Sequence, residues 1–160
     1  MRIVGIDPAL TVTGYGVIES EKNQLALVEA GIIKTSASQP LPERLNKIHR
    51  ATIKLIGDSH PHVLVLEKLY AHYKHPVTAY ILGQARGVIL LACAIKDIPV
   101  VEYAATRVKK SITGRGLASK YQVQRMIAGI FQLESLPKYT DVTDALALAV
   151  AHSYIMRAKL

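Results

Sequence analysis

Cysteine is nearly missing from this chain: Cys93 stands alone among 160 residues, so no internal disulfide staples it. Cys93 lies in an apolar stretch, which predicts a buried thiol of the core. Long hydrophobic runs are missing too. The longest covers residues 87–95, between Arg86 and Lys96, whereas a membrane span needs about 20 apolar residues. Met1-Arg2-Ile3-Val4-Gly5-Ile6-Asp7 meets charge almost at once, so no secretory leader is expected. The expectation is a cytoplasmic protein with no membrane partner. Repeats, low-complexity tracts and linkers are absent as well, so residues 1–160 read as one domain. Acids are scarce: 12 against 20 lysines and arginines, for a formal charge of +8 and a pI near 9.6. That balance favours a polyanionic partner, nucleic acid before an anionic membrane, although an inert basic surface has the same composition.

What is present reads as a packed fold, since half the residues are hydrophobic. Residues 2–6 form an apolar strand ending at Asp7, residues 14–18 a second and residues 24–33 a third, with Asn23 suggesting a hairpin turn. Leu41, Leu45, Ile48, Thr52 and Leu55 recur at helical spacing from about Pro42. Residues 62–66 make a central strand that runs into Glu67, and residues 99–103 a fifth. Residues 77–96 predict a long helix that is apolar nearly all round, hence buried on more than one side. Its Gly83-Gln84-Ala85-Arg86-Gly87 patch admits a close backbone, from this chain or from a second copy. Residues 119–131 form another helix with Ser119 and Gln122 as a capping box, and residues 143–159 a closing helix. A meander followed by strand–helix alternation predicts an α/β fold, a mixed five-stranded sheet with helices on both faces.

With so few acids, the position of each one matters. Asp7 and Glu67 both end strands, and the carboxyl ends of strands are where sites form in open sheets. Asp141 and Asp144 are spaced one helical turn apart at the mouth of the last helix. Taken singly, each has a plainer reading: a turn former, a surface charge, or charges serving a helix dipole. Together they would crowd. Two carboxylates about 5 Å apart repel by roughly 3 kcal/mol at an effective dielectric of about 20. Such a cluster raises its own pKa values or binds cations, and all-oxygen ligands favour Mg²⁺ or Mn²⁺ over Zn²⁺.

Basic residues gather where acids are missing. Residues 103–133 contain no acid, yet Arg107, Lys109, Lys110, Arg115, Lys120 and Arg125 all fall there. Thr113-Gly114-Arg115-Gly116 reads as a flexible, positive loop suited to phosphate. Lys120 lies in the first turn of a helix, where a cation opposes the dipole and a bound phosphate would relieve it. A solvated surface lysine is the alternative. After Glu67, Lys68, Tyr70, His72, Tyr73, Lys74 and His75 interleave aromatic with basic side chains, as base stacking requires; local packing of the tyrosines explains them equally.

Several of these motifs resemble the RuvC family of crossover junction endodeoxyribonucleases: Gly5-Ile6-Asp7-Pro8, Thr13-Gly14-Tyr15-Gly16-Val17-Ile18, Gly83-Gln84-Ala85-Arg86-Gly87, Glu102-Tyr103-Ala104-Ala105, Val108-Lys109 and Asp144-Ala145-Leu146-Ala147. The resemblance implies the ribonuclease H-like form of the mixed sheet, as a single nuclease domain. It implies a homodimer, joined along the helix from Val77, that nicks opposed strands of a four-way DNA junction. It assigns Asp7, Glu67, Asp141 and Asp144 to two Mg²⁺ ions per subunit, with Mn²⁺ able to substitute. Tyr70 matches an aromatic that contacts unpaired junction bases, and Lys109 and Lys120 match basic residues beside the scissile phosphate. The branch-migration proteins RuvA and RuvB are the implied partners. Ala9 stands in place of a usual Gly, Lys68 of a Gln and Tyr70 of a Phe, and the last two leave sequence preference open. A nuclease or a non-catalytic binder of another branched DNA or RNA is the alternative on the same fold.

Overall fold

The structure, a computed structural model, describes residues 1–22, 24–69 and 76–158. The chain runs β1 (Arg2–Asp7), β2 (Val12–Glu21), β3 (Gln24–Lys34), α1 (Leu41–Ser59), β4 (Val63–Glu67), α2 (Pro76–Ile95), β5 (Val100–Tyr103), α3 (Ala105–Thr113), α4 (Lys120–Ile130) and α5 (Thr140–Arg157). The expected turn at Asn23, the aromatic–basic stretch at 70–75 and the end of the last helix at 159 lie outside the described residues.

The sheet has the order β3-β2-β1-β4-β5. β1 and β2 pair antiparallel, as do β2 and β3, while β1–β4 and β4–β5 are parallel. Side-chain alternation divides the strands between two cores. Val4, Ile6, Leu64 and Leu66 pack on one face with Ile48, Leu55 and Ile56 of α1 and Ala85, Ile89 and Ala92 of α2. Ile3, Ile18, Val63 and Val65 pack on the other with Val108 and Ile112 of α3, Val123 and Ile127 of α4, and α5. β1 and β4 are covered on both sides, which is why they read as nearly continuous apolar runs. This is the expected ribonuclease H-like mixed sheet with helices on both faces. Cys93 belongs to the first core, and burial pushes its thiol up to about 11, so it is chemically inert.

α5 is the innermost helix: Ala145, Leu146, Ala147, Leu148, Ala149, Val150 and Ala151 are all buried. It lies against β1 and β2 because glycine there offers no side chain to hold it off. A β-carbon on Gly5 would fall 2.0 Å from the main-chain oxygen of Ala145. The helix begins at Thr140, earlier than the apolar pattern from Thr143 indicates, so Asp141 is inside its first turn.

Two expectations need correcting. α3 was not foreseen: it is short and basic, and only Val108 and Ile112, one turn apart, are buried in it. α2 is not buried on more than one side. Val77, Tyr80, Leu91 and Ile95 are 68%, 69%, 53% and 56% exposed, and among the described residues nothing beyond the helix's own backbone stands within 4 Å of a β-carbon built on Gly83 or Gly87. Packing among the described residues therefore leaves that glycine patch open.

Candidate metal centre

Three elements deliver the four acids to one end of the sheet. Asp7 ends β1, Glu67 ends the neighbouring parallel strand β4, and the register Ile6↔Leu66 sets them side by side. α5 brings Asp141 and Asp144 from above, with Gly14, the β2 partner of Asp7, lying directly beneath Asp141. A cleft of about 260 Å³ is lined by Asp7, Glu67, Asp144, Lys109 and Lys120. A second, of about 310 Å³, shares Asp7 and Glu67 and reaches Pro8, Leu69, Leu82 and Arg86.

Electrostatics confirm the crowding. Burial first, then the charges of Asp144, Asp141 and Glu67, push Asp7 from its ordinary 3.8 up to about 7, against the opposing pull of Lys120. Burial and Asp144 raise Glu67, which Lys109 and Lys120 partly offset. Burial also raises Asp144, opposed by its hydrogen bond and ion pair with Lys120. For Lys120 burial acts downward, but Asp144, Asp7 and Asp141 outweigh it and hold the ammonium firmly charged.

The acids are coupled without forming a finished coordination shell. Among the described residues no three His, Cys, Asp or Glu side chains are grouped closely enough to hold a metal ion as they stand. Lys120 Nζ is paired with Asp144 Oδ2 instead. The donor chemistry nonetheless suits a hard divalent cation: all ligands are carboxylate oxygens, and mutual repulsion already disfavours their ionised forms. Lys120 supplies a countercharge in direct contact with them. Its position in the first turn of α4 follows from the capping box, in which Ser119 Oγ accepts from the Gln122 amide at 3.2 Å and Gln122 accepts from the Ser119 amide at 2.8 Å.

The loop after Asp7 is braced by two side chains, Thr13 and Arg44. The Ala9 amide donates to Thr13 Oγ1 at 3.1 Å, and Thr13 returns a bond to the Ala9 carbonyl at 2.6 Å. Arg44 donates to the Leu10 carbonyl at 3.0 Å and to Thr35 Oγ1 at 3.1 Å. Ala9 is accommodated without loss of these bonds.

The predicted basic residues divide. Lys109 and Lys120 line the acid cleft. Arg107 is folded over the Tyr103 ring at 5.4 Å, and Lys110 and Arg115 are exposed away from the lining. The loop at 113–116 is less free than its glycines suggest: Thr113 Oγ1 bonds the Lys109 carbonyl at 2.8 Å and accepts from the Arg115 amide at 3.2 Å, and Gly114 closes α3 at φ 77°. Tyr70 lies outside the described residues.

Sequence reasoning missed two pairs beside the site. Tyr103 Oη and His152 Nδ1 are hydrogen bonded at 2.9 Å in the core, tying β5 to α5. Arg86 is buried and joins Glu102 to the end of β4. The Gly-Gln-Ala-Arg-Gly motif contained Arg86, but its partners are remote in sequence.

A family model described as crossover junction endodeoxyribonuclease RuvC matches residues 3–152. A crossover junction endodeoxyribonuclease RuvC of Rhodopirellula baltica is 44% identical over 96% of this chain and 86% of its own length. One from Brevibacillus brevis is 42% identical over 96% and 92%. The solved structure of T. thermophilus RuvC in complex with a Holliday junction substrate has a TM-score of 0.92 at 31% identity, covering 99% of this chain and 96% of that one. The yeast mitochondrial Holliday junction resolvase Ydc2, at 13% identity and a TM-score of 0.65, shares the fold across 95% of this chain and 78% of its own.

Proposed function

Because the chain belongs to the RuvC family of crossover junction endodeoxyribonucleases, we propose that it resolves four-way DNA junctions with Asp7, Glu67, Asp141 and Asp144 as its metal ligands. The carrying observation is the convergence of acids from β1, β4 and α5 on one cleft, where burial first and then the neighbouring carboxylates push Asp7 up to about 7. Two Mg²⁺ ions, or Mn²⁺ in their place, would supply Lewis-acid charge and an activated water for phosphodiester hydrolysis.

The chain's own groups do the rest. The cleft excludes most solvent from Asp7, so a phosphate entering it meets charges weakly screened by water. Lys120 is paired with Asp144 at the cleft, and were cations to occupy the carboxylates its ammonium would be placed to meet the phosphate and stabilise the charge that builds on it. The free amides at the start of α4 add to that attraction. Lys109 neutralises the Glu67 side of the cleft. Arg107, Lys110 and Arg115 are assigned to the DNA backbone farther out, and Tyr70 to unpaired bases. The products are 5′-phosphate and 3′-hydroxyl ends.

Paired nicks need two active sites. The open face of α2, with Val77, Tyr80, Leu91 and Ile95 around Gly83 and Gly87, is apolar enough to join two copies of this single ribonuclease H-like domain into a symmetric dimer. RuvA and RuvB are the partners this reading brings with it.

A synthetic immobile four-way junction, incubated with and without Mg²⁺, tests the proposal. Symmetric paired nicks that require the cation support it. Tight junction binding with no cleavage under any divalent metal refutes the enzymatic reading and leaves a binding protein.

A further inference from the structure

We propose that Arg86 and Glu102 form a positioning pair that keeps the Glu67 carboxylate open for metal. The inference rests on the metal-site reading above and names residues that touch no substrate.

Arg86 comes from α2, on the opposite face of the sheet from α5, and its side chain is 9% exposed. One guanidinium nitrogen, Nη1, donates to the main-chain oxygen of Glu67 at 2.8 Å. The other, Nη2, is paired with Glu102 Oε1. Glu102 stands opposite Leu66 in the parallel register, so Arg86 ties the ends of β4 and β5 together just where Glu67 leaves the sheet. The amide of Lys68 donates to the Tyr103 carbonyl at 2.8 Å and completes the clamp.

The choice of acceptors carries the argument. Arg86 lines the cleft that holds Asp7 and Glu67, yet it grips the Glu67 backbone and leaves the carboxylate alone. An unpaired guanidinium in such a place would seek the nearest acid, because a buried charge without a partner is strongly unfavourable. Glu102 satisfies it. Glu102 thus acts as a decoy: it neutralises Arg86, while Arg86 holds the strand end that aims Glu67. A pair serving packing alone would be replaceable by apolar residues with no effect on metal affinity.

The two functions make opposite demands on variants. In the full-length protein, Arg86→Gln should loosen the strand end and weaken Mn²⁺ binding, followed by electron paramagnetic resonance of the free ion, by about ten-fold or more. The Mg²⁺ concentration for half-maximal junction nicking should rise in parallel, while junction binding in EDTA stays unchanged. Glu102→Gln should also weaken metal binding, because it frees Arg86 to compete for the acids. The double variant Arg86→Met with Glu102→Leu should then bind Mn²⁺ better than Glu102→Gln alone, and Arg86→Lys should be intermediate. Losses that simply add in the double variant overturn the decoy role. Arg86→Gln with wild-type Mn²⁺ affinity and Mg²⁺ dependence overturns the positioning role. If Arg86→Gln fails to fold, Arg86→Lys and Glu102→Gln decide the matter by the same readouts. A wild-type protein that binds no Mn²⁺ refutes the metal-site reading, and this inference with it.

Discussion

A β-carbon placed on Gly14 would lie 2.1 Å from the main-chain oxygen of Asp141, well inside any tolerable contact. β2 and α5 touch backbone to backbone at this point, and the contact sets the height of Asp141 and Asp144 above Asp7. The acid cluster therefore depends on what Gly14 lacks.

Gly14→Ala should accordingly lift the start of α5. Overpacking of this kind costs about 1–3 kcal/mol, or more where the obstacle is backbone. Thermal unfolding should show the loss, and Mn²⁺ titration of the folded fraction should show weakened binding. Unchanged metal affinity in a destabilised variant would separate packing from site geometry.

Asp7→Asn should abolish nicking and make the metal-free protein more stable. A carboxyl raised from 3.8 to about 7 disfavours its own ionised form by up to roughly 4 kcal/mol. Native protein holds this proton more tightly than unfolded chain does, so stability falls as pH rises between about 4 and 7 and levels off above. The melting temperatures of wild type and Asp7→Asn in EDTA should therefore separate with rising pH and run parallel beyond about 7. Lines that stay together across that range refute the assigned shift.

Nicking should have its own pH dependence. Cations and protons compete for Asp7, so at limiting Mg²⁺ the rate should rise with pH through about 7. Saturating Mg²⁺ should move that rise to lower pH. A midpoint indifferent to Mg²⁺ places the controlling group elsewhere.

Lys120→Met removes the partner of Asp144 and the charge beside the phosphate. Since the side chains are 57% and 24% exposed, the change in stability should stay within about 1 kcal/mol. Nicking under saturating Mg²⁺ should fall by about 10²–10³, the usual loss of a positioned charge donor. Junction binding should weaken far less, and gel-shift titration beside single-turnover kinetics measures both.

Leu91→Glu tests the face of α2. Leu91 is 53% exposed in one chain, so the substitution should leave the monomer folded and block association. Sedimentation velocity should show one species of single-chain mass, with paired nicking reduced to isolated nicks. A persistent dimer moves the interface elsewhere.

Much of this was legible in the amino-acid order. Alternation and helical spacing gave all five strands and four of the five helices, and the positions of Asp7 and Glu67 at neighbouring strand ends follow from topology. Ser119 and Gln122 announced their capping box, because a cap is a local signal three residues long. α3 escaped because its apolar face is only Val108 and Ile112. The uniformly apolar α2 misled, since hydrophobicity states that a face must be covered and says nothing of what covers it.

Composition and periodicity by themselves determined the layers, the scarcity of acids and which acids end their elements, for those properties are carried by neighbours along the chain. Only the tertiary structure decided that Lys120 pairs with Asp144, that Arg86 turns to Glu102 and the Glu67 backbone, and that glycine admits α5 to the sheet. Each of these depends on distances through space between residues far apart in sequence, and the strength of a charge pair or a steric limit is set by that separation alone.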